Sequence, residues 1–297
     1  MTGKPEVVCI GSVLWDVIGR ASVVMQRGSD MPGRITRLPG GVALNIAMTL
    51  AQFGMTPAVL TSVGRDTEGD ELITACADLG LITDFAYRSE DLPTDVYMAV
   101  EGANGLIAAI ADAHSLEAAG DKILRPLLDG RLATKDAPYT GLVALDGNLT
   151  IDLLSEIAAS PAFANADLRV APASPGKADR LMPFLGTGRG TVYVNLEEAG
   201  TLCQCRFDTS AQAATTLVEK GAARAIVTDG AQPASEADRS SVVTLSPPNI
   251  AVHRVTGAGD TFMAAHIAAE HRGCARNDAL QNALDAAAIY VSGGTPT

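Results

Sequence analysis

The 297-residue chain contains no Gly-x-x-x-x-Gly-Lys-Ser/Thr stretch, which excludes the phosphate-cradling loop of P-loop nucleotide hydrolases. No Gly-x-Gly-x-x-Gly follows its first strand-like run, which leaves a nicotinamide dehydrogenase as a remote alternative. Basic clusters are missing too. Lys and Arg number 22 against 34 Asp and Glu, the net charge is −12, and no run of five or more basic residues occurs. A nucleic-acid or anionic-membrane partner selects the opposite sign, so neither is expected. No apolar run approaches the roughly eighteen residues that a membrane-crossing helix needs, and residues 1–6 lack the apolar core of a signal peptide. A cytoplasmic protein is expected. The five cysteines, Cys9, Cys76, Cys203, Cys205 and Cys274, are odd in number and scattered, so they imply no disulfide framework. Cys203-Gln204-Cys205 has no second Cys/His pair at zinc spacing.

What is present alternates. Apolar strand-like runs at Val7–Ile10, Ala58–Val63, Gly141–Leu145, Leu168–Val170, Thr191–Val194 and Ala225–Thr228 are separated by Ala-rich helical segments. The helical segments are Leu44–Phe53, Asp70–Leu79, Ile151–Ala159, Ala211–Lys220 and Ala279–Val291. This order predicts one large α/β unit over residues 1–297, with a mainly parallel sheet, helices on its faces and ligands at the carboxyl ends of its strands. Val17–Leu38 and Thr94–Ala111 interrupt the alternation with short β-like runs such as Tyr97–Val100 and Leu106–Ile110, joined by a turn at Ala103-Asn104-Gly105. An edge hairpin without function is the plain reading of that pattern.

Val255-Thr256-Gly257-Ala258-Gly259-Asp260-Thr261 joins a glycine turn, a helix start and one carboxylate within seven residues. Amides at a helix N-terminus attract an anion, and small residues let a phosphate approach the backbone. Asp260 in the first turn is then placed to accept a proton from an attacking hydroxyl. An ordinary Gly turn with Asp as a dipole partner is the alternative. Near the N-terminus, Gly11-Ser12 ends the first strand and Asp16 follows. Pro39-Gly40-Gly41 opens an Ala-rich helix that carries Asn45 one turn in. Glycine backbone with Asp16 and Asn45 beside it suits the adjacent hydroxyls of a sugar, although each feature alone is common in α/β proteins.

Together these motifs resemble the PfkB-type, ribokinase-like family of sugar and nucleoside kinases. The N-terminal signature runs from Gly40-Gly41 through Asn45 to Gly64-Arg65-Asp66 and Gly69; the C-terminal one is Thr256-Gly257-Ala258-Gly259-Asp260; Asn195-Leu196-Glu197-Glu198 supplies the family's Asn-x-x-Glu. The resemblance covers nearly the whole chain. It implies a three-layer α/β/α fold with a small β-sheet lid, over about 17–38 and 94–111, that covers the sugar and pairs two copies. It implies ATP and Mg²⁺ as cofactors, with Asp260 as general base and amides of Gly257, Ala258 and Gly259 meeting the developing charge. An ordinary aspartate, with pKa about 3.9, is a weak base, so proton transfer is expected late in a loose transition state.

By the same resemblance Asn195 and Glu198 act on Mg²⁺ and phosphates mostly through water, the alternative being a strand-end cap before a helix at Glu197–Leu202. Thr228, Gly230, Thr256 and Asn282 are the nucleotide-side candidates, with Pro247-Pro248 and the Ala286–Tyr290 helix near the adenine and Lys177 offsetting phosphate charge. Two departures stand out. Ala231-Gln232-Pro233-Ala234 replaces the second glycine often seen after Thr-x-Gly, and Arg254 replaces an Asp associated with a monovalent-cation loop, so strong potassium dependence is not expected.

Within the family, Gly105–Asp112, Ala144-Leu145-Asp146-Gly147-Asn148 and Val255-Thr256 are similar to pseudouridine kinases more than to ribokinases or fructokinases. The implied acceptor is a ribonucleoside, pseudouridine favoured, phosphorylated at its 5′-hydroxyl. Asp16, Gly40, Gly41 and Asn45 would hold the ribose, Tyr97 and Met98 would flank the base, and Asp112 would accept from the ring N–H that uridine lacks. Ribose, fructose or 2-keto-3-deoxygluconate as acceptor, or a non-catalytic sugar or nucleoside sensor, are the alternatives.

Overall fold

The computed structural model describes residues 4–296; Met1–Gly3, half of the segment in which no signal-peptide core is found, lie outside the described residues. The strands are β1 (Val7–Ile10), β2 (Leu14–Arg20), β3 (Arg34–Gly40), β4 (Pro57–Leu60), β5 (Ser62–Gly64), β6 (Tyr87–Ser89) and β7 (Val96–Gly102), followed by β8 (Gly105–Asp112), β9 (Leu142–Asp146), β10 (Asp167–Ala171), β11 (Thr191–Asn195), β12 (Arg224–Asp229), β13 (Gln232–Asp238) and β14 (Val242–Leu245). The helices are α1 (Val42–Gln52), α2 (Thr67–Asp78), α3 (His114–Ala119), α4 (Ile151–Ala159), α5 (Met182–Thr187), α6 (Leu196–Cys203), α7 (Ser210–Glu219), α8 (Ala258–His271) and α9 (Arg276–Val291).

The main sheet has the order β14-β13-β12-β11-β10-β9-β1-β4. Its strands from β12 to β4 run parallel, and β13 and β14 add an antiparallel edge. All four residues of β1 are buried, as a central parallel strand covered on both faces requires. Strand alternation divides them. Val7 and Cys9 pack into one layer with α1, α2, α8 and α9, while Val8 and Ile10 pack into the other with α4 to α7. Alanines on α1 (Ala43, Ala47) and α8 (Ala264, Ala265, Ala268) share one of these cores, where small side chains let helices approach closely.

The strand expected over Ala58–Val63 is two elements. β4 ends at Leu60, the chain steps out of the main sheet at Thr61, and β5 pairs with β6 in a two-stranded sheet. The β13 to β14 hairpin has no counterpart in the sequence reading, because β13 is buried on both faces and carries a polar residue on each, Ser235 and Glu236, which hides the apolar period. Glu236 is held by Arg224, Arg276 and His266.

The two interrupted segments form a second, four-stranded sheet of order β3-β2-β7-β8. Its attachment is a clamp: Asp66, the N-cap of α2, accepts from Gly69 N (2.7 Å), Thr94 N (2.8 Å) and Thr94 Oγ1 (2.5 Å) immediately before β7. A Cβ on Gly69 would lie 2.2 Å from the Gly64 carbonyl, so the glycines of this motif permit the clamp to close. Among the described residues no helix is long and apolar enough to cross a membrane.

Candidate active site

A cleft of about 870 Å³ opens where the parallel strands end, walled on one side by β2, β7 and β8. The main sheet reverses its order between β1 and β9, and the loops after those two strands meet there, as ligand sites in open α/β sheets do. Asp146, fully buried at the end of β9, accepts from Ser12 N (2.8 Å), Ser12 Oγ (2.5 Å) and Asn148 N (2.7 Å). Ser12 Oγ in turn accepts from Val42 N (2.9 Å), the first amide of α1, and from Asn148 Nδ2 (3.0 Å). Asn148 Oδ1 receives Lys177 Nζ at 2.7 Å. Among the described residues Lys177 is the one basic residue that lines the cleft, against the carboxylates Asp16, Glu197, Glu198, Asp229 and Asp260.

The diglycine turn works by close approach. Gly41, the N-cap of α1, has φ 103°, and a Cβ there would fall 2.4 Å from the Ser12 carbonyl. A Cβ on Gly40 would fall 2.0 Å from an Asp16 oxygen. Gly40 therefore backs Asp16 rather than lining the cleft. Burial lifts the Asp16 carboxyl to about 6, and no protein donor bonds its oxygens among the described residues. Such a carboxylate, facing the cleft, is a ready acceptor for ligand hydroxyls.

At the other wall, α8 begins after Gly257 (φ 85°) and carries Asp260 in its first turn. Asn45 Nδ2 donates to Asp260 Oδ2 at 2.9 Å, which joins the two signatures across 215 residues of sequence. Burial raises the Asp260 carboxyl to about 7; the nearby Asp146 and Glu198 charges push the same way against the Asn45 bond. That value suits a general base at neutral pH better than the ordinary aspartate assumed from sequence. The turn's amides are not equivalent. Ala258 N is already bonded to Val255 O at 3.0 Å, which corrects its place among the free donors, whereas the amides of Gly257, Gly259 and Asp260 have no protein acceptor among the described residues. No Cβ-distance obstruction lies within 4 Å at Gly259, so an anion has room there.

Asn195 and Glu198 form a capping box on α6: Glu198 N donates to Asn195 Oδ1 (2.9 Å) and Asn195 N to Glu198 Oε2 (2.8 Å). Both line the cleft, and burial pushes the Glu198 carboxyl up. Each keeps one polar atom outside the box, so the cap and a water-mediated role on a hydrated divalent ion are compatible. Among the described residues no group of three or more His, Cys, Asp or Glu is arranged to hold a metal directly.

Thr228, Gly230 and Thr256 also line the cleft, Gly230 with φ 55° in the turn that leads into β13. The Ala231–Ala234 stretch that replaces the second glycine is this hairpin. Four further expected contacts with the cleft are not made. Asn282 lies on α9 beside Cys274, two helical turns before Tyr290, and touches no part of the cleft. Pro247-Pro248 is likewise off it. Asp112 stands opposite Val96 in the register, on the face of Trp15, whereas Asp16, Tyr97 and Ala111 share the other, cleft-facing side; strand alternation thus turns Asp112 away, where it meets His114 at 2.9 Å. Met98 is turned away for the same reason.

The residues that sequence reasoning passed over are Ser12, Asp146 and Asn148 as one unit. Their signal was the polar residue at two strand ends, Gly11-Ser12 and Asp146-Gly147-Asn148, but only the adjacency of β1 and β9 pairs them.

Comparison with known proteins agrees with this geometry. Residues 4–296 match the pfkB family carbohydrate kinase. The chain is 28% identical to pseudouridine kinase of Escherichia coli (strain K12), over 89% of this chain and 83% of that one. It is 27% identical to an uncharacterized sugar kinase of the same organism, over 99% and 80%. Ribokinase of Mus musculus is 25% identical over 87% and 80%. Among solved structures, a carbohydrate kinase from Agrobacterium tumefaciens superposes with TM-score 0.82 at 26% identity, covering 98% of this chain and 92% of that one. Ribokinase from Thermotoga maritima superposes with TM-score 0.80 at 20% identity, covering 97% and 93%, and so has the same fold. The chain belongs to the pfkB family of carbohydrate kinases.

Proposed function

We propose that the protein transfers the γ-phosphoryl group of ATP to a primary hydroxyl of a ribonucleoside, pseudouridine first, to give the 5′-phosphate. The observation that carries the reading is the Asn45–Asp260 pair beside three amides without a protein acceptor among the described residues, which we read as a base and an anion site within one helical turn. Asp16 and Asn45 orient the ribose hydroxyls so that the primary alcohol reaches Asp260. The alcohol oxygen attacks the γ-phosphorus in line, the bond to the β–γ bridging oxygen breaks, ADP departs with that oxygen, and the hydroxyl proton passes to Asp260. The amides of Gly257, Gly259 and Asp260 meet the charge on the transferred group. Mg²⁺, when bound, would neutralise phosphate charge; Asn195 and Glu198 would hold it through water, and Lys177, bonded to Asn148, adds a positive side chain to the cleft.

Two relatives support the acceptor class from different sides, the pseudouridine kinase and the ribokinase. One observation favours a plain sugar as the second reading: with Asp112 facing away, the wall next to the ribose offers Tyr97 and Ala111 and fewer groups for a base edge. ADP release measured over pseudouridine, uridine, adenosine, ribose, fructose and 2-keto-3-deoxygluconate separates them. Pseudouridine should give the highest kcat/KM; an equal or higher value for uridine or ribose overturns the nucleoside assignment and leaves the kinase one standing. No turnover with any acceptor, together with tight binding of one, would make the protein a sensor. The four-stranded sheet is read as a lid on the acceptor within a single kinase unit, and as the face through which two copies pair. An ATP-consuming enzyme with unpaired cysteines belongs in the cytoplasm.

A further inference from the structure

Arg254 stands six residues before Asp260, outside every contact assigned above. Its guanidinium donates from Nε to Tyr290 O and from Nη2 to Gly294 O, both at 2.8 Å, and lies 3.7 Å above the centre of the Tyr290 ring. The backbone amides of His253 and Arg254 both reach Val291 O, at 2.8 and 3.1 Å. These acceptors are the last carbonyls of α9 and the loop after it, groups that a helix end leaves unpaired and partially negative. Among the described residues no carboxylate pairs with Arg254, so its charge is spent on carbonyl oxygens and a ring face. The same tyrosine then turns to the catalytic loop: its hydroxyl donates to Thr256 O at 2.9 Å, and a Cβ on Gly257 would lie 2.5 Å from that hydroxyl. A cavity of about 170 Å³ is lined by Arg254, Tyr290, Gly257 and Thr261 together with Asn45 of the catalytic pair.

We propose that Arg254 is a positioning residue for phosphoryl transfer: its guanidinium acts as a tethered cation that ties the carbonyl end of α9, through Tyr290, to the loop bearing the Gly257–Asp260 anion turn. The proposal rests on the kinase reading for its kinetic consequence, but the tether is a property of the structure alone. Because the cation is covalently part of the chain, turnover does not need a monovalent ion from solution. Loss of the guanidinium removes the side-chain donor of Gly294 O and leaves Tyr290 O with the Gly293 amide alone, beside a cavity lined by the same residues.

The test pairs kinetics with amide hydrogen exchange on the full chain. Replacing potassium with tetramethylammonium should leave the wild-type rate within about two-fold, and Arg254→Ala should lose about 10–100-fold in kcat with the acceptor KM little changed. Millimolar guanidinium chloride should restore part of that loss, and amides over 256–260 should exchange faster in the variant. Tyr290→Phe should show a smaller kcat loss that does not add to that of Arg254→Ala. If Arg254→Ala does not fold, Arg254→Lys, which keeps the charge without the fork, should fold with wild-type thermal stability and show an intermediate kcat loss. A wild-type kcat in either variant, unchanged exchange over 256–260, or strong potassium stimulation of the wild-type enzyme overturns the proposal. An inactive wild-type protein would sink the kinase reading instead, while the exchange measurement would still decide the tether.

Discussion

Asp260 holds two opposed demands in one side chain. It must be charged to take a proton, yet burial and the neighbouring Asp146 and Glu198 carboxylates resist that charge and lift it to about 7. In the free enzyme kcat/KM should therefore fall about tenfold per unit as pH drops below about 7, because only the ionised form serves as base. The stability consequence has the opposite sense. A carboxyl raised from about 3.9 in the unfolded chain to about 7 in the folded one binds its proton more tightly when folded, so stability is greatest at low pH and is lost as pH climbs through that window. Asp260→Asn keeps an acceptor for Asn45 Nδ2 but removes the buried charge. We expect kcat to fall about 10²–10⁴-fold with KM within a few-fold, while Tm at pH 8 rises by about 2–4 °C and the gain vanishes near pH 4. Equal Tm values at both pH extremes, or a near-normal kcat, would take the base role from this residue.

At the scale of elements, two short motifs do their work at helix starts. The capping box of α6 uses one oxygen of Glu198, and glutamine can accept from the same Asn195 amide, so Glu198→Gln separates cap from metal. Thermal stability should stay within about 2 °C of wild type while the Mg²⁺ concentration for half-maximal rate rises more than the acceptor KM. An unchanged Mg²⁺ titration would leave the pair as a cap alone. The clamp that holds Asp66, Gly69 and Thr94 governs where the second sheet begins. Gly69→Ala, with its Cβ 2.2 Å from Gly64 O and 2.6 Å from Thr94 Oγ1, should cost about 1–3 kcal/mol and raise the acceptor KM more than that for ATP, since Asp16 and Tyr97 ride on that sheet. Equal effects on both substrates would mean that the clamp stabilises without placing the lid.

These motifs show what the sequence could tell. β1, β11 and α4 were legible almost to the residue, because each is a short uniform run between turn signals. The site's partners along the chain, such as Gly41 and Asn45 or Gly257 and Asp260, were legible for the same local reason. Pairings across the sheet were not: Ser12 with Asp146, Asn45 with Asp260, and Arg254 with Tyr290 depend on strand order and helix packing. The face of Asp112 depended on register, where one residue's shift exchanges cleft for exterior. The antiparallel edge was hidden because Glu236 is buried by ion pairing, which hydrophobic periodicity cannot reveal.

For the whole molecule, the second sheet poses an accounting problem. On the face turned from the cleft, Ile35, Met98 and Ile110 are 78%, 48% and 67% exposed, and the register sets Met98 opposite Ile110 on the next strand and opposite Val17 of β2, across which Ile35 stands opposite Gly19. Large apolar residues clustered this way mark an interaction surface more often than bare solvent. A second copy is the occupant consistent with the lid reading, since a two-fold pairing would bury the same face on both partners and stiffen β7 and β8 above each cleft. Light scattering after size exclusion should then give twice the chain's mass at micromolar protein. Ile110→Glu, which sets a charge in the middle of the patch and touches nothing in the cleft, should shift the population to monomers and raise the acceptor KM several-fold while kcat at saturation stays near wild type. A monomeric wild-type protein, or a variant that dissociates without any change in acceptor KM, would detach oligomerisation from lid function.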